Sequence, residues 1–161
     1  MIVAHPDDES LFGGEALTSS HDWTVICVTG ASNERRRKEF MRAMHSIRVN
    51  YTMLDHVDHI QSGHFDPRLE NTLISLMSEH PYEMIVTHNS QGEYGHPQHR
   101  SLHRIVRRIT GNVPLYVFGT AWFGPPRISA AKGLLLRNYA AESSIRYLQA
   151  MAEREKLVRV R

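Results

Sequence analysis

Val3-Ala4-His5-Pro6-Asp7-Asp8-Glu9-Ser10-Leu11-Phe12-Gly13-Gly14 is the stretch on which the reading of this chain turns. The apolar run Met1 to Ala4 breaks into a histidine and three consecutive acids, and Leu11 and Phe12 then resume an apolar pattern before a glycine pair. A strand, a polar turn and a helix in that order present side chains at the carboxyl end of the strand, where open α/β sheets bind ligands. Three adjacent carboxylates repel one another, so a cation or a strong hydrogen-bond network is expected to hold them.

Further strands follow from short β-branched or apolar runs bounded by breakers: Thr24 to Thr29 before Gly30, Tyr51 to Leu54, Met84 to Thr87 and Leu115 to Phe118. Helical spacing lies between them. Ser32 or Asn33 caps a helix through Val49 with Phe40, Ala43, Met44 and Ile47 on one face. Asp66-Pro67 starts a second helix with Leu69, Leu73, Leu76 and Met77 as its stripe, and Pro97 starts a third carrying Leu102, Ile105, Val106 and Ile109. The tail from Ser129 to about Val158 reads as helical with a break near Arg137. Strands alternating with helices predict an α/β, three-layer Rossmann-like fold, with a mostly parallel sheet of about five strands and helices on both faces. Residues 1–161 make a single domain, with no repeat or linker. Right-handed crossovers place the loops after strands one and four on the same sheet edge.

Composition narrows the classes. Apolar residues at 41% and charged residues at 22% describe an ordinary folded protein. A net charge of +2, with bases gathered in Arg35-Arg36-Arg37-Lys38, in 104–108 and at the carboxyl end, reads as solvated helix faces and not as a nucleic-acid site. The single Cys27 excludes an internal disulfide and a CxxC zinc site, and its apolar run suits a buried, inert thiol. No apolar span approaches the roughly 18 residues of a membrane helix, and no basic start followed by an apolar stretch marks a signal peptide. The chain begins directly in its first strand, and the expected location is cytoplasmic. A homo-oligomer is compatible with all of this.

The second polar concentration is Thr87-His88-Asn89-Ser90-Gln91-Gly92-Glu93-Tyr94-Gly95-His96-Pro97-Gln98-His99-Arg100. Pro97 at the first helical position puts His96 and His99 on nearby faces of one turn, so two imidazoles can approach one centre. His5 and Asp8 have the same spacing around Pro6. Either pair alone is common as surface decoration or a cap. Together, each following a strand, they supply two histidines and a carboxylate, a catalytic type of zinc shell that leaves a position for water. Iron(II) or another divalent ion suits the same donors.

These motifs resemble the PIG-L/LmbE-like zinc-dependent N-deacetylases. The resemblance is carried by Ala4-His5-Pro6-Asp7-Asp8-Glu9 and by His96-Pro97-x-His99. It extends through Gly13-Gly14, Arg36-x-x-Glu39-x-x-x-Ala43 and the 87–96 loop, and loosely to Lys132 and Tyr139. It implies His5, Asp8 and His99 as metal ligands for Zn2+, and Asp7 as the general base that takes a proton from the attacking water. His96 would stabilise the oxyanion and protonate the leaving amine, and Tyr94 would assist at the carbonyl oxygen. Arg36 falls at a substrate-binding position, and Asn89, within the matching strand-four loop, is a further candidate for substrate binding. Glu9 is expected to support the ligands from behind. Trp122, in the Gly/Pro-rich loop after strand five, is a candidate for stacking on a sugar face, against the alternative of packing on the sheet. The implied substrate is a small N-acetylated amino sugar or glycoconjugate, from which an N-acetyl or similar N-acyl group is removed.

Amide hydrolysis needs those parts: zinc lowers the pKa of bound water to about 7, a base must reach that water, and the tetrahedral oxygen and the departing amine need a donor each. One position departs from the family pattern, which has Asp where this chain has Gln98. That Asp is expected to pair with the His96 position, so Gln98 removes a charge there and Glu93 becomes the candidate replacement. Gln98 also keeps open a catalytically impaired metal- or sugar-binding module. Non-haem iron oxygenases use two histidines and a carboxylate too, but on antiparallel β scaffolds with closer first ligands. A dinucleotide site fails, because acids stand where phosphate needs glycines.

Overall fold

The computed structural model describes residues 1–19, 22–57, 62–119, 128–139 and 148–161. Along it run β1 (Ile2–Val3), α1 (Asp8–Leu17), β2 (Thr24–Thr29), α2 (Glu34–Ser46), β3 (Asn50–His56) and α3 (Arg68–Ser78). There follow β4 (Ile85–Thr87), α4 (Pro97–Ile109), β5 (Leu115–Phe118), α5 (Ala130–Leu136), a 3-10 turn at Arg137–Tyr139, α6 (Gln149–Ala152) and β6 (Leu157–Arg159).

Alternation along the strands builds the layers, because successive side chains point to opposite faces. Val3, Val25 and Cys27 pack with Leu11 and Phe12 of α1, Phe40, Ala43 and Met44 of α2, and Leu135 and Leu136 of α5. Ile2, Ala4, Ile26 and Val28 face the other way, onto Leu69 and Leu73 of α3 and Leu102 and Val106 of α4. Two cores on opposite faces make the three-layer α/β arrangement anticipated from the helical stripes.

The sheet differs in detail from a five-stranded one. Three parallel strands run in the order β1-β2-β3, and three more in the order β4-β5-β6, with β6 antiparallel. Side chains join the two sets: Thr87 Oγ1 donates to the Ile2 carbonyl at 2.9 Å, and the Ala4 N–H donates to His88 Nε2 at 3.0 Å. β1 and β4 therefore lie side by side, and the chain winds outward from them in both directions. The crevice at such a reversal of strand order is where open α/β sheets place ligands.

β6 corrects the expectation of helix to about Val158. The β5 edge offers unpaired backbone groups, and residues 156–160 take them: the Gly119 N–H donates to Lys156 O at 2.6 Å and the Val160 N–H to Leu115 O at 2.9 Å. Phe118 sits opposite Leu157. Pairing of a β-branched segment with a waiting edge overrides a local helical pattern. The expected break near Arg137 is the 3-10 turn. Helix α2 also stops short of Val49, since Arg48 takes a left-handed φ of 56°.

The tail is fastened under the first helix by a buried ion. Lys132 Nζ donates to Leu11 O at 2.9 Å, Ala152 O at 2.7 Å and Glu155 Oε2 at 2.6 Å. Glu155 in turn accepts the Glu15 and Ala16 N–H groups. Gly14 makes room for this stem: a Cβ there would lie 2.9 Å from Lys132 Cγ. Among the described residues, no helix is long and apolar enough to cross a membrane.

Candidate metal centre

Two strand ends deliver the donors. β1 runs into a turn in which Asp7 has φ 116° and ψ −29°, a left-handed conformation that non-glycine residues adopt at a cost and that clusters at functional sites. Its carbonyl accepts the Ser10 and Leu11 N–H groups and opens α1, and Asp8 and Glu9 sit in that first turn, where carboxylates suit the helix dipole. After β4, Gly92, Glu93 and Gly95 all take positive φ and fold the loop back toward Pro97, which starts α4.

Three atoms converge from these ends. His5 Nδ1 lies 3.2 Å from Asp8 Oδ2 and 3.3 Å from His99 Nε2, and His99 Nε2 lies 3.3 Å from Asp8 Oδ2. Hydrogen-bond partners on the far sides assign the protons. Glu93 Oε2 stands 2.6 Å from His99 Nδ1, and Gln98 Oε1 stands 2.9 Å from His5 Nε2. Both partners are acceptors, so those nitrogens carry the hydrogens and the inward nitrogens are bare lone pairs. All three residues are buried. Three acceptors packed so closely repel one another unless a cation shares them. Donors held about 2.0–2.1 Å from a tetrahedral zinc stand about 3.3–3.4 Å apart, so the donor set fits a divalent ion.

His96 is the next neighbour. Its ring lies 4.8 Å from that of His5 and 4.4 Å from that of His99, and a ring nitrogen belongs with theirs to a cluster within 4.8 Å. Tyr94, 44% exposed, places its ring 5.7 Å from His96 at the rim. Asp7 is buried, with Arg36 Nη2 3.4 Å from its Oδ2; the same guanidinium donates to the Pro6 carbonyl. Glu9 accepts the Asp7 N–H at 3.1 Å, the Tyr139 hydroxyl at 2.7 Å and the Ser10 hydroxyl, which braces the turn from behind. Burial pushes its carboxyl above the usual range against those hydrogen bonds.

His88 and Glu93 do more than their place in a motif suggested. Glu93 Oε2 accepts from both His88 Nδ1 at 2.9 Å and His99 Nδ1 at 2.6 Å, while Oε1 accepts the Asn89 N–H at 2.8 Å. Burial raises the Glu93 pKa, but His88 and His99 outweigh it and hold it at about 2. Asp8 is likewise pushed up by burial and pulled well below the carboxylate range by His99, His88 and His5. At His88, burial lowers the pKa whereas Glu93 and Asp8 raise it, to about 9. A second proton would have to displace the Ala4 N–H from Nε2, and that buried backbone bond is the stronger reason to keep the ring neutral. His88 stacks on His99, with ring centroids 3.7 Å apart, and its Nε2, which accepts the Ala4 N–H, stands 3.4 Å from Asp8 Oδ2, so Asp8, His88 and His99 form a second group able to hold a cation. One cue was available: His88 is the first side chain after Thr87, the last residue of β4.

Two expectations about the partner of His96 change. Glu93 does not stand in beside His96, since its oxygens are taken by His88, His99 and Asn89. Gln98 pairs with His5, not His96. Asn89, expected to touch substrate, fastens the loop: Oδ1 accepts the Gln91 and Glu93 N–H groups, and Nδ2 donates to Phe118 O at 2.8 Å. Trp122 lies outside the described residues. At the carboxyl end of β3, a cleft of about 690 Å³ is lined by Val57, His56, His64, Phe65 and Asp66 among others, and Gln98, which pairs with His5, donates to the Val57 carbonyl.

Fold and donor set together define a three-layer α/β protein with a two-histidine, one-carboxylate centre at the carboxyl edge of its sheet. Residues 1–110 match the family model PIG-L, GlcNAc-PI de-N-acetylase, and the chain belongs to that family. A protein of Acanthamoeba polyphaga mimivirus, uncharacterized protein L374, is 35% identical over 136 residues, 73% of this chain; the chain spans 60% of that relative's length. Conserved protein TT1542 from Thermus thermophilus superposes with TM-score 0.70 at 18% identity, over 93% of this chain and 83% of that one. The A40926 pseudoaglycone deacetylase Dbv21 gives 0.69 at 17%, over 92% and 82%. GalB, the 4-carboxy-2-hydroxymuconate hydratase from Pseudomonas putida KT2440, gives 0.60 at 17%, over 95% and 82%.

Proposed function

We propose that the protein is a metal-dependent hydrolase, with Zn2+ as its ion, that removes an N-acetyl or similar N-acyl group from a small amino-sugar-containing molecule. The observation that carries this reading is the convergence of two imidazole nitrogens and a carboxylate oxygen at 3.2–3.3 Å, with a second carboxylate next in sequence. Family membership directs it to amide hydrolysis; the fold alone does not, since a hydratase shares it.

His5, Asp8 and His99 hold the ion, which when bound supplies Lewis acidity to an amide oxygen and to water. Asp7 takes a proton from the attacking water as the new C–O bond forms. Arg36 keeps Asp7 aimed, because its guanidinium contacts both the carboxylate and the Pro6 carbonyl of the same turn. Tyr94 at the rim donates to the carbonyl oxygen, and its exposure leaves room for substrate to reach it. His96 delivers a proton to the nitrogen as the C–N bond breaks, releasing acetate and a free amine. The cleft beside β3 receives the rest of the sugar conjugate.

The test is a screen of N-acetylglucosamine conjugates on Zn2+-reconstituted protein, with fluorescamine detection of free amine. The expected result is amine release by the wild type, reduced at least ~100-fold in Asp7→Asn while that variant still binds metal. Equal turnover by Asp7→Asn refutes the assignment of the base. Metal-loaded wild type that releases no amine from any conjugate refutes the substrate class.

A further inference from the structure

We propose that Gln98 is a positioning residue: its side-chain amide selects the tautomer of His5 that can bind a metal. The inference rests on the metal centre proposed above and deepens it.

Gln98 is buried at the first turn of α4, and both ends of its amide are used. Nε2 donates to the Val57 carbonyl at 3.3 Å, and Oε1 stands 2.9 Å from His5 Nε2. Each bond settles an ambiguity in the other. A carbonyl only accepts, so the end of Gln98 facing Val57 is the NH2. The end facing His5 is then the oxygen, and His5 Nε2 must carry the hydrogen. Nδ1 is left bare, pointing at Asp8 Oδ2 and His99 Nε2.

The alternative tautomer is close at hand. With its hydrogen on Nδ1, His5 would donate across 3.2 Å to Asp8 Oδ2. That internal bond would use a lone pair from each of two ligands and compete directly with the ion. Gln98 disfavours the competitor, because accepting the hydrogen on Nε2 leaves the Nδ1 lone pair to the ion. Orienting partners of this kind on a ligating histidine change metal affinity by about 10–100-fold.

A packing role makes a different forecast, and two variants separate them. Gln98→Met keeps the length and volume of the side chain but has no oxygen. Gln98→Glu keeps an acceptor for His5 and loses the donor to Val57. Zn2+ affinity is measured by competition with a chromophoric chelator, the visible absorption of bound Co2+ reports the ligand set, and circular dichroism checks folding. The expected result is weakening of about 10–100-fold in Gln98→Met with an altered Co2+ spectrum, and affinity in Gln98→Glu equal to or tighter than wild type. Wild-type affinity and spectrum in Gln98→Met overturn the inference, as does a Gln98→Glu protein as weak as Gln98→Met. Failure of the wild type itself to bind Zn2+ or Co2+ overturns the metal reading, and Gln98 with it; this result is distinct from the other two.

Discussion

Replacing Lys132 with Met tests the packing beneath the site without reference to any substrate. The Met side chain keeps most of the apolar stem but removes the ammonium, leaving the Glu155 carboxylate with the Glu15 and Ala16 N–H groups alone. Both members of the pair are buried, with side-chain exposures of 0% and 4%. Removing one partner of a buried pair costs about 3–5 kcal/mol, and the two remaining backbone donors place this case at the lower end, about 3 kcal/mol. For a chain of 161 residues that lowers Tm by about 6–12 °C. The loss depends on pH with a definite sign. Burial raises the Glu155 pKa, and Lys132 and the backbone donors lower it by less. A raised folded-state pKa means that the protonated form favours folding, an effect present below the unfolded value of 4.5 and lost as pH rises through the folded pKa. Without Lys132 the pKa rises further, so the variant's deficit is largest at neutral pH and shrinks toward pH 4.5. Urea unfolding at the two pH values measures this. A deficit under about 1 kcal/mol at neutral pH, or one of equal size at both, refutes the account.

Glu93→Gln leaves one acceptor where three donors converge, so either the two histidines or the Asn89 N–H must face an NH2; Zn2+ affinity should fall about 10–100-fold in a chelator competition, and unchanged affinity refutes Glu93 as the orienting carboxylate. Asp7→Gly and Asp7→Ala both lose the pairing with Arg36, but only alanine retains the strain at φ 116°. The glycine variant should therefore be more stable by about 1–3 kcal/mol in thermal unfolding, with both inactive; equal stability shows that the turn is not strained.

Much of the centre was legible because its residues act locally. His5 and Asp8 are joined by one turn of chain, the His5 N–H itself reaching Asp8 Oδ2 at 2.8 Å, and Pro97 fixes where His99 points. Helical stripes such as Phe40, Ala43 and Met44 likewise show in the spacing of apolar residues. Long-range choices did not show. Gln98 chooses His5 across 93 positions, and nothing in its neighbours distinguishes that partner from His96. Glu93 chooses among imidazoles only once the positive φ at Gly92, Glu93 and Gly95 has turned the loop. β6 depends on the exposed edge of β5, which no local pattern reports.

The seam between β1 and β4 bears on how the molecule comes apart. Its hydrogen bonds are made by Thr87 and His88, and the centre's donors lie on either side of it, with His5 and Asp8 from one end of the chain and His99 from 94 positions later than His5. Closing so long a loop costs entropy before any contact rewards it, so late formation is the order to expect for these contacts. An ion seated across the seam would act on the exit from the native state: it slows unfolding by fastening what must separate first and leaves the rate of folding nearly untouched. The chain would then gain its endurance from the ion as lifetime, not as speed of assembly.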